Sequence, residues 1–297
     1  MITRPMLACD CEDKKALEWP MIATPKVDGI RCLRPDERVL TRSFKPIPNK
    51  HIRDILERIL PIGADGELFS SEMFNQVTSD VMSEDGTPDF KYCMFDFVPN
   101  GNLNVPYEDR LSEMDRWYKN ASDEVKKYVF ILPWTIINSL EELNVYEDKV
   151  LAEKHEGAML RTFTSPYKCG RSTFRERYLL KVKQFKDSEA RVLGFEEQLT
   201  NTNETTLDEF GLTERSTKKE GMKPAGTLGK FICVDIHNGM EFNCGTGKGL
   251  TKVLRQQIWD NRDQYIGKIF KYKYQVHGTK DKPRLPVWLG FRDERDM

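Results

Sequence analysis

The sequence predicts an α+β protein with two domains, the first built from antiparallel sheets and helices and the second a small β-barrel. Short β-rich runs alternate with helical patterns up to residue 186, and short strands dominate after it. Hydrophobic residues make up 39% of the 297 and charged residues 31%, which excludes collagen, a coiled coil and long disorder. We therefore expect domains at 1–186 and 187–297, with the boundary near Lys186–Ser188.

The first domain contains one clear helix and several strands. Asn49 is a predicted helix cap, and Pro61 and Gly63 end the helix. The apolar stripe of this helix consists of Ile52, Ile55, Leu56, Ile59 and Leu60. Strands are predicted at Tyr92–Val98, Ala158–Phe163 and Tyr178–Phe185. The alternation in the last of these sends Lys181 and Lys183 to one face.

The second domain has the pattern of a Greek-key barrel of the OB type. Strands are predicted at Glu189–Phe195, Gly229–Ile236, Glu241–Cys244, Lys268–Val276 and Val287–Arg292. A helix from Thr251 to Trp259 precedes the fourth strand, as in an OB barrel. The polar stretch 198–227 separates the first two strands, and a loop of that length is usually functional or disordered.

The formal net charge is −1, but the basic residues are clustered. Lys and Arg outnumber Asp and Glu by eight to three in 26–53, seven to one in 167–186 and six to one in 268–284. Phosphate binding depends on the potential within about 8–10 Å, so these clusters permit a nucleic-acid partner despite the net charge. Taken alone, they are equally compatible with solvated basic faces.

No membrane partner or export signal is predicted. No apolar run approaches the roughly 20 residues that span a bilayer, and MITRPMLACDCEDKK lacks the apolar core of a leader peptide. The seven cysteines are scattered and form no CxxC. We therefore expect reduced thiols in a cytoplasmic protein and no structural zinc.

Seven short strings of charged and aromatic residues follow one another along the chain. They are Lys26-Val-Asp28-Gly-Ile-Arg31, Thr41-Arg42-Ser43, Asp65-Gly-Glu67-Leu68, Phe95-Asp96-Phe97, Glu156-Gly-Ala-Met159-Leu-Arg161, Lys181-Val-Lys183 and Arg284-Leu-Pro286-Val-Trp-Leu-Gly290-Phe-Arg292. A lone KxDG recurs by chance, but the ordered set resembles the nucleotidyltransferase motifs of ATP-dependent DNA ligases and mRNA capping enzymes. The resemblance to small two-domain viral DNA ligases runs essentially from end to end.

This resemblance implies an adenylyltransferase domain followed by an OB domain that takes two positions during the reaction. ATP and a divalent metal, Mg²⁺ or Mn²⁺, are the implied cofactors, and nicked double-stranded DNA is the implied partner of a monomeric enzyme. Lys26 would attack the α-phosphorus of ATP to form lysyl-AMP. Lys181 and Lys183 would lower the pKa of Lys26 and neutralise phosphate charge.

Further roles follow from the same resemblance. Glu67 would bind ribose and metal, and Glu156 would bind metal, because hard carboxylate oxygens suit Mg²⁺. Phe95 would stack on adenine and Met159 would pack on its other face. The implied nucleotide-binding residues are Thr24, Arg31, Arg42, Glu67, Phe95, Glu156, Met159, Lys181, Lys183, Arg284 and Arg292. The alternative for the two lysines is an exposed strand face, and the alternative for Phe95 and Met159 is a place in the core.

The DNA assignments are Arg42, Lys168 and Arg171, which would hold the 5′-phosphate of the nick. The stretch 198–227 resembles a latch that closes around DNA. Asp28 would lie near the reacting ends, and Asp296 resembles the last acidic position of the family.

Three other functions remain open at this point. An mRNA guanylyltransferase would share Lys26, Glu67 and Glu156 but use GTP, and Arg31 and the latch-like stretch argue against it. RNA ligases typically lack the OB domain. A nick-binding module without activity would not need all the motifs.

Overall fold

The computed structural model describes residues 1–70, 79–247, 249–275 and 282–292. The packing divides the chain into two compact units, Met1–Lys183 and Gln184–Met297. The second unit therefore begins two residues before Lys186, where we expected the boundary. Within the described ranges, no helix is both long enough and apolar enough to cross a bilayer.

The first unit contains two five-stranded sheets. Its strands are β1 Met6–Leu7, β2 Cys9–Asp10, β3 Met21–Pro25, β4 Ile30–Leu33, β5 Leu40–Thr41, β6 Ala64–Ser70, β7 Phe90–Phe97, β8 Val129–Ile131, β9 Thr135–Ile137, β10 Ala158–Arg161, β11 Gly170–Arg171 and β12 Leu180–Val182. The strand order is β2-β12-β10-β3-β9 in one sheet and β5-β4-β6-β7-β8 in the other, and β1 pairs with β11. Most neighbours are antiparallel, as predicted, but β1 with β11, β2 with β12 and β7 with β8 are parallel.

The helices of the first unit pack apolar faces against these sheets. They are α1 Lys50–Ile59, α2 Tyr107–Lys119, α3 Asp123–Tyr128 and α4 Leu140–Ala152. The side chain of Asn49 accepts a hydrogen bond from the Ile52 N–H at 2.9 Å, so the predicted cap is confirmed. The apolar stripe of α1 is buried.

The predicted strand Tyr178–Phe185 is divided in the structure. Leu180–Val182 forms β12 of the first unit, and a new strand of the second unit starts at Phe185. Leu180 and Val182 are buried in the core of the first sheet, whereas Phe185 already pairs within the barrel. The prediction was wrong because the alternation continues across a boundary between two sheets.

The second unit is a closed five-stranded barrel. Its elements are β13 Phe185–Asn201, β14 Thr205–Leu207, β15 Thr213–Arg215, β16 Met222–Asp235, β17 Glu241–Gly245, α5 Lys252–Asp260, β18 Ile269–Gln275 and β19 Arg284–Phe291. The spatial order of the barrel strands is β13-β16-β17-β19-β18. In the sequence, α5 lies between β17 and β18. The α+β fold class with a C-terminal OB-type barrel is confirmed.

The stretch 198–227 contains more regular structure than its composition suggests. β13 and β16 stay paired as far as Asn201 and Met222, and β14 pairs with β15 in a small hairpin. Both strands of the hairpin are exposed on all their residues. Strands exposed on both faces need no apolar alternation, so the sequence pattern resembled that of a loop.

Candidate functional site

A cavity of about 310 Å³ lies in the first unit, and its walls are rich in cations. Seven basic side chains line it, namely Lys26, Arg31, Arg42, Arg161, Arg171, Lys181 and Lys183. All of them except Arg161 were predicted as nucleotide, catalytic or DNA contacts. The predicted residues Thr24, Glu67, Phe95 and Met159 line the same cavity. Such a concentration of positive charge is suited to a polyphosphate.

One wall of the cavity is a row of side chains across three strands. Thr24 of β3 lies opposite Met159 of β10, and Met159 lies opposite Lys181 of β12. Side chains alternate along a strand with a period of two, so Lys183 lies on the same face as Lys181. The register of the sheet thus brings together motifs that are more than 130 residues apart in sequence.

The ammonium group of Lys26 forms an ion pair with the Oε2 atom of Glu156, whose side chain is 4% exposed. Lys183 Nζ lies 3.4 Å from the same oxygen. The backbone holds this arrangement, because Lys26 N–H donates to Gly157 O at 2.7 Å and Glu156 N–H donates to Lys26 O at 3.0 Å. Gly157 has φ +147°, and a Cβ there would lie 2.2 Å from Val182 O, so only glycine fits. Two lysines therefore share one buried carboxylate.

The charges in this cluster oppose one another. Burial lowers the pKa of Lys183, the positive charge of Lys26 lowers it further, and Glu156 acts in the opposite sense. Lys181 lies 3.3 Å from the exposed carboxylate of Asp10. The cavity thus holds cations close together, which a bound anion would stabilise.

Glu67 lies half-buried on β6, directly opposite Arg31 of β4. Burial raises its pKa to about 7, although the positive charges of Arg31 and Lys26 lower it. The two nearby cations therefore do not fully compensate this carboxylate. A further cation bound beside it would favour its ionised form.

Arg31 is fixed by a carboxylate beneath the cavity. Its Nε and Nη2 atoms donate to the two oxygens of Asp65 at 2.5 and 2.6 Å, and Tyr167 Oη donates to Asp65 at 2.6 Å. Burial alone would lower the pKa of Arg31, but Asp65 outweighs it and raises the pKa. The guanidinium lies 4.7 Å from the ring centroid of Phe95. Arg31 therefore contacts the predicted adenine platform.

A second buried cluster lies behind Phe95, and the sequence analysis missed it. The Asp96 carboxylate accepts hydrogen bonds from Arg110 Nε at 2.7 Å and from Arg161. Burial would raise the pKa of Asp96, but the two guanidinium groups hold it well below its usual range. Asp96 and Arg161 lie inside predicted motifs without an assigned role, whereas Arg110 lies in none of them.

A backbone segment without any motif also reaches the cavity. Leu7 and Ala8, near the N-terminus, line it. Arg171 Nη1 donates to Ala8 O at 2.6 Å, and Ser172 N–H donates to Leu7 O at 2.8 Å. These contacts are long-range in sequence, so composition and spacing could not reveal them.

The remaining predicted residues lie elsewhere. In the described part of the chain, Lys168 and Asp28 are outside the cavity lining, and Lys168 Nζ binds both carboxylate oxygens of Glu176 at 2.7 Å. Arg284 begins β19 in the second unit, and Arg292 follows that strand and pairs with Glu189. Asp296 is outside the described residues.

The donor set near Lys26 suits a metal that arrives with its substrate. Among the described residues, no group of three or more His, Cys, Asp or Glu side chains could hold a metal ion. Mg²⁺ commonly binds one or two carboxylates together with substrate phosphates and water. The two predicted ligands, Glu67 and Glu156, fit that kind of site, and the incompletely compensated charge of Glu67 supports it.

Comparison with known proteins covers both units. Residues 5–183 match the model of the ATP dependent DNA ligase domain, and residues 221–292 match that of the DNA ligase OB-like domain. A crystal structure of chlorella virus DNA ligase-adenylate is 33% identical, covers 99% of both chains and has a TM-score of 0.60. Curated proteins give no significant match.

Two more distant structures share the fold. A Lig E DNA ligase is 21% identical over 98% of this chain and 100% of that chain, with a TM-score of 0.71. The ATP-dependent DNA ligase from bacteriophage T7, in complex with ATP, is 16% identical over 98% of this chain and 99% of that chain, with a TM-score of 0.53.

Proposed function

The chain belongs to the ATP-dependent DNA ligases, and we propose that it seals 5′-phosphate/3′-hydroxyl nicks in duplex DNA through an AMP carried on Lys26. The family and the OB-like domain set aside the capping enzyme and the RNA ligase. One observation carries the assignment of the nucleophile. Lys26 lines a cation-rich cavity and is held there by the buried carboxylate of Glu156.

In the first transfer, the unprotonated amine of Lys26 attacks the α-phosphorus of ATP, a phosphoramidate bond forms, and pyrophosphate leaves. The amine must first lose a proton. Lys181 and Lys183 line the same cavity as Lys26. The same two cations face the phosphates and stabilise the charge of the transition state.

The other cavity residues bind the nucleoside. Phe95 and Met159, both in the cavity wall, offer apolar surfaces between which adenine stacks. Thr24, opposite Met159 in the register, offers a hydroxyl group at the same wall. Glu67 offers a carboxylate to the ribose. These contacts position the α-phosphorus for in-line attack, which supplies much of the acceleration.

Mg²⁺ or Mn²⁺ would be held by Glu67 and Glu156 together with the phosphates of the nucleotide. Such an ion neutralises phosphate charge and orients the leaving group. The protein's own contribution is to keep both carboxylates next to Lys26 and Arg31.

The two later transfers require residues that bind the 5′-phosphate of the DNA. AMP passes from Lys26 to the 5′-phosphate, and the 3′-hydroxyl then attacks that phosphate and releases AMP. Arg42 and Arg171 line the cavity and can bind the 5′-phosphate through paired N–H donors. The role of Lys168, whose ammonium group binds Glu176, stays a prediction. The roles of Asp28, Arg284 and Arg292 stay predictions.

A gel assay on a nicked duplex with ATP and Mg²⁺ tests this proposal. We expect sealing by the wild type, strong preference for ATP over GTP, and no sealing by Lys26→Ala or Lys26→Arg. The arginine variant keeps the positive charge beside Glu156 but lacks the nucleophile. Lys126→Ala removes an exposed lysine of α3 and serves as the control with full activity. Sealing by Lys26→Ala would contradict the proposal.

We also propose that the hairpin of β14 and β15 holds the nicked duplex. Its support is the full exposure of both strands, which leaves the surface of the hairpin accessible to a partner. Replacing residues 203–220 by a short turn should weaken nick binding about tenfold. Lysyl-AMP formation should stay unchanged. Unaltered affinity for nicked DNA would show that the hairpin is no latch.

A further inference from the structure

We propose that Asp96 and Arg110 are positioning residues for the nucleotide, and that they act through Phe95 and Tyr107. This inference rests on the proposed function, because it takes Phe95 as the platform on which adenine stacks. Neither residue lines the cavity, and the sequence analysis assigned a role to neither of them.

Asp96 and Arg110 form an ion pair without contact to water. Both side chains are 0% exposed, and Arg161, the second partner of Asp96, is 6% exposed. Arg110 binds Asp96 through two donors, Nε at 2.7 Å and Nη2 at 3.2 Å. Burying such charges costs solvation that their attraction often fails to recover. A cluster of this kind therefore suggests a purpose other than stability.

The cluster reaches the cavity along two short paths. Asp96 directly follows Phe95 in β7, so its position fixes the backbone that carries the ring. Tyr107 Oη donates to Phe95 O at 3.2 Å. The guanidinium of Arg161 lies 4.2 Å from the ring centroid of Tyr107. Phe95, Tyr107 and Arg161 all line the cavity.

Arg110 also ties together the two chain segments that flank Phe95. Its Nη1 atom donates to Val105 O at 2.5 Å and to Ser165 O at 2.9 Å. Val105 lies in the connection from β7 to α2, and Ser165 lies in the connection that follows β10. A single guanidinium thus joins β7, the start of α2 and the segment after β10.

This arrangement predicts that a change in the Asp96–Arg110 cluster weakens the binding of adenine and hardly alters the contacts of the phosphates. The Phe95 ring must be held in place before adenine can stack on it at low entropic cost. The cations that face the phosphates, Lys26 and Lys183, are bound to Glu156 and not to Asp96. Loosening the cluster should therefore raise KM for ATP and leave kcat of lysyl-AMP formation nearly unchanged.

The test is a double-mutant cycle on lysyl-AMP formation at varied ATP concentration. Asp96→Asn and Tyr107→Phe are each combined with Phe95→Ala. Tyr107→Phe removes one hydroxyl and keeps the ring under Arg161, so it serves if Asp96→Asn does not fold. The matched control is Glu147→Gln. Glu147 lies on α4, and its buried carboxylate pairs with Lys14.

We expect Asp96→Asn to raise KM for ATP about tenfold and Tyr107→Phe about threefold, with kcat within about twofold of the wild type. Both effects should largely vanish in the Phe95→Ala background, since both act through that ring. Glu147→Gln should leave KM unchanged in either background.

Three results would contradict the inference. They are an unchanged KM in folded Tyr107→Phe, effects that simply add to that of Phe95→Ala, and an equal rise in KM from Glu147→Gln. A wild type that forms no adduct would overturn the proposed function, and this inference with it. If the wild type forms the adduct and the Asp96 and Tyr107 variants show the same dependence on ATP concentration, the inference alone is overturned.

Discussion

The two units bury their charged side chains in opposite ways. The first unit buries Asp65, Asp96, Arg110, Glu147, Glu156 and Arg161. In the described part of the barrel, Asp235 is the one buried charged residue, and the core around it is aromatic and apolar. Asp235 is satisfied by hydroxyls of Ser188 and Tyr272 and by backbone N–H groups.

The two units differ in the partners that they give to a buried carboxylate. A neutral donor satisfies a buried carboxylate without burying a second charge, whereas the guanidinium and ammonium partners in the first unit must lose water themselves. Apart from Glu147, which pairs with Lys14, the first unit accepts that cost at or behind the cavity, where fixed charges are useful to a phosphoryl transfer. The barrel has no such requirement in its core and relies on packing.

The largest expected effect is on catalysis. Lys183→Met should slow lysyl-AMP formation about 100-fold, since it removes a cation that lines the cavity and that would face the phosphates in the proposed reaction. The free energy of unfolding should change by less than about 1 kcal/mol, because Lys26 keeps its bond to Glu156. Single-turnover kinetics and urea unfolding measure the two quantities. A loss of several kcal/mol in the free energy of unfolding with an unchanged rate would show that Lys183 serves stability and not catalysis.

The next effect is on the stability of the first unit. Arg110→Ala should lower the free energy of unfolding by about 3–5 kcal/mol, because Val105 O and Ser165 O lose their donor and Asp96 loses one partner. The control is Arg116→Ala, which breaks an exposed pair with Glu113 and should cost less than about 0.5 kcal/mol. Similar losses in the two variants would show that burial does not distinguish these pairs.

The barrel should respond less to the loss of a neutral donor. Tyr272→Phe removes the hydroxyl that donates to Asp235 Oδ2 at 2.7 Å and keeps the ring. We expect a loss of about 1–2 kcal/mol, measured by thermal unfolding. A loss as large as that of Arg110→Ala would erase the contrast between the two units.

The smallest effect is a difference in pH dependence. Burial would raise the pKa of Asp235, but the hydrogen bonds from Tyr272, Ser188 and two backbone N–H groups outweigh it and lower the pKa below its ordinary 3.8. A carboxyl with a lowered pKa contributes stability above its ordinary value and loses that contribution as the pH falls through its folded-state pKa. Two guanidinium groups lower the pKa of Asp96.

The stability lost in Asp235→Asn should therefore shrink as the pH is lowered from 7 to 3. The loss in Asp96→Asn should persist to lower pH. Urea unfolding of both variants and the wild type at each pH measures this. A loss in Asp235→Asn that grows on acidification would contradict the sign of its pKa shift.

The resemblance of the ordered motifs indicated residues that line the cavity, but it did not indicate the buried charged residues behind them. Ten predicted residues line the cavity because each motif sits at a strand end or in a strand whose register is fixed by its apolar neighbours. The sequence did not reveal Arg110, because its partner Asp96 and the second arginine of the cluster, Arg161, come from two other elements. No local pattern marks an arginine that will be buried.

The strand boundaries show the same limit. The Asn49 cap and the stripe of α1 are local signals, and the helix formed where they indicated. The break between Lys183 and Phe185 depends on which sheet each residue joins, and alternation cannot reveal that. Similarly, the hairpin of β14 and β15 is exposed on all its residues, so burial left no periodic pattern to detect.

The most direct measurement is the mass of the intact protein after incubation with ATP and a divalent metal. We predict a gain of one AMP, located on Lys26 by peptide mapping and reversed by pyrophosphate, with no gain in Lys26→Arg. A protein that gains no nucleotide, or that carries it on another residue, would contradict the account.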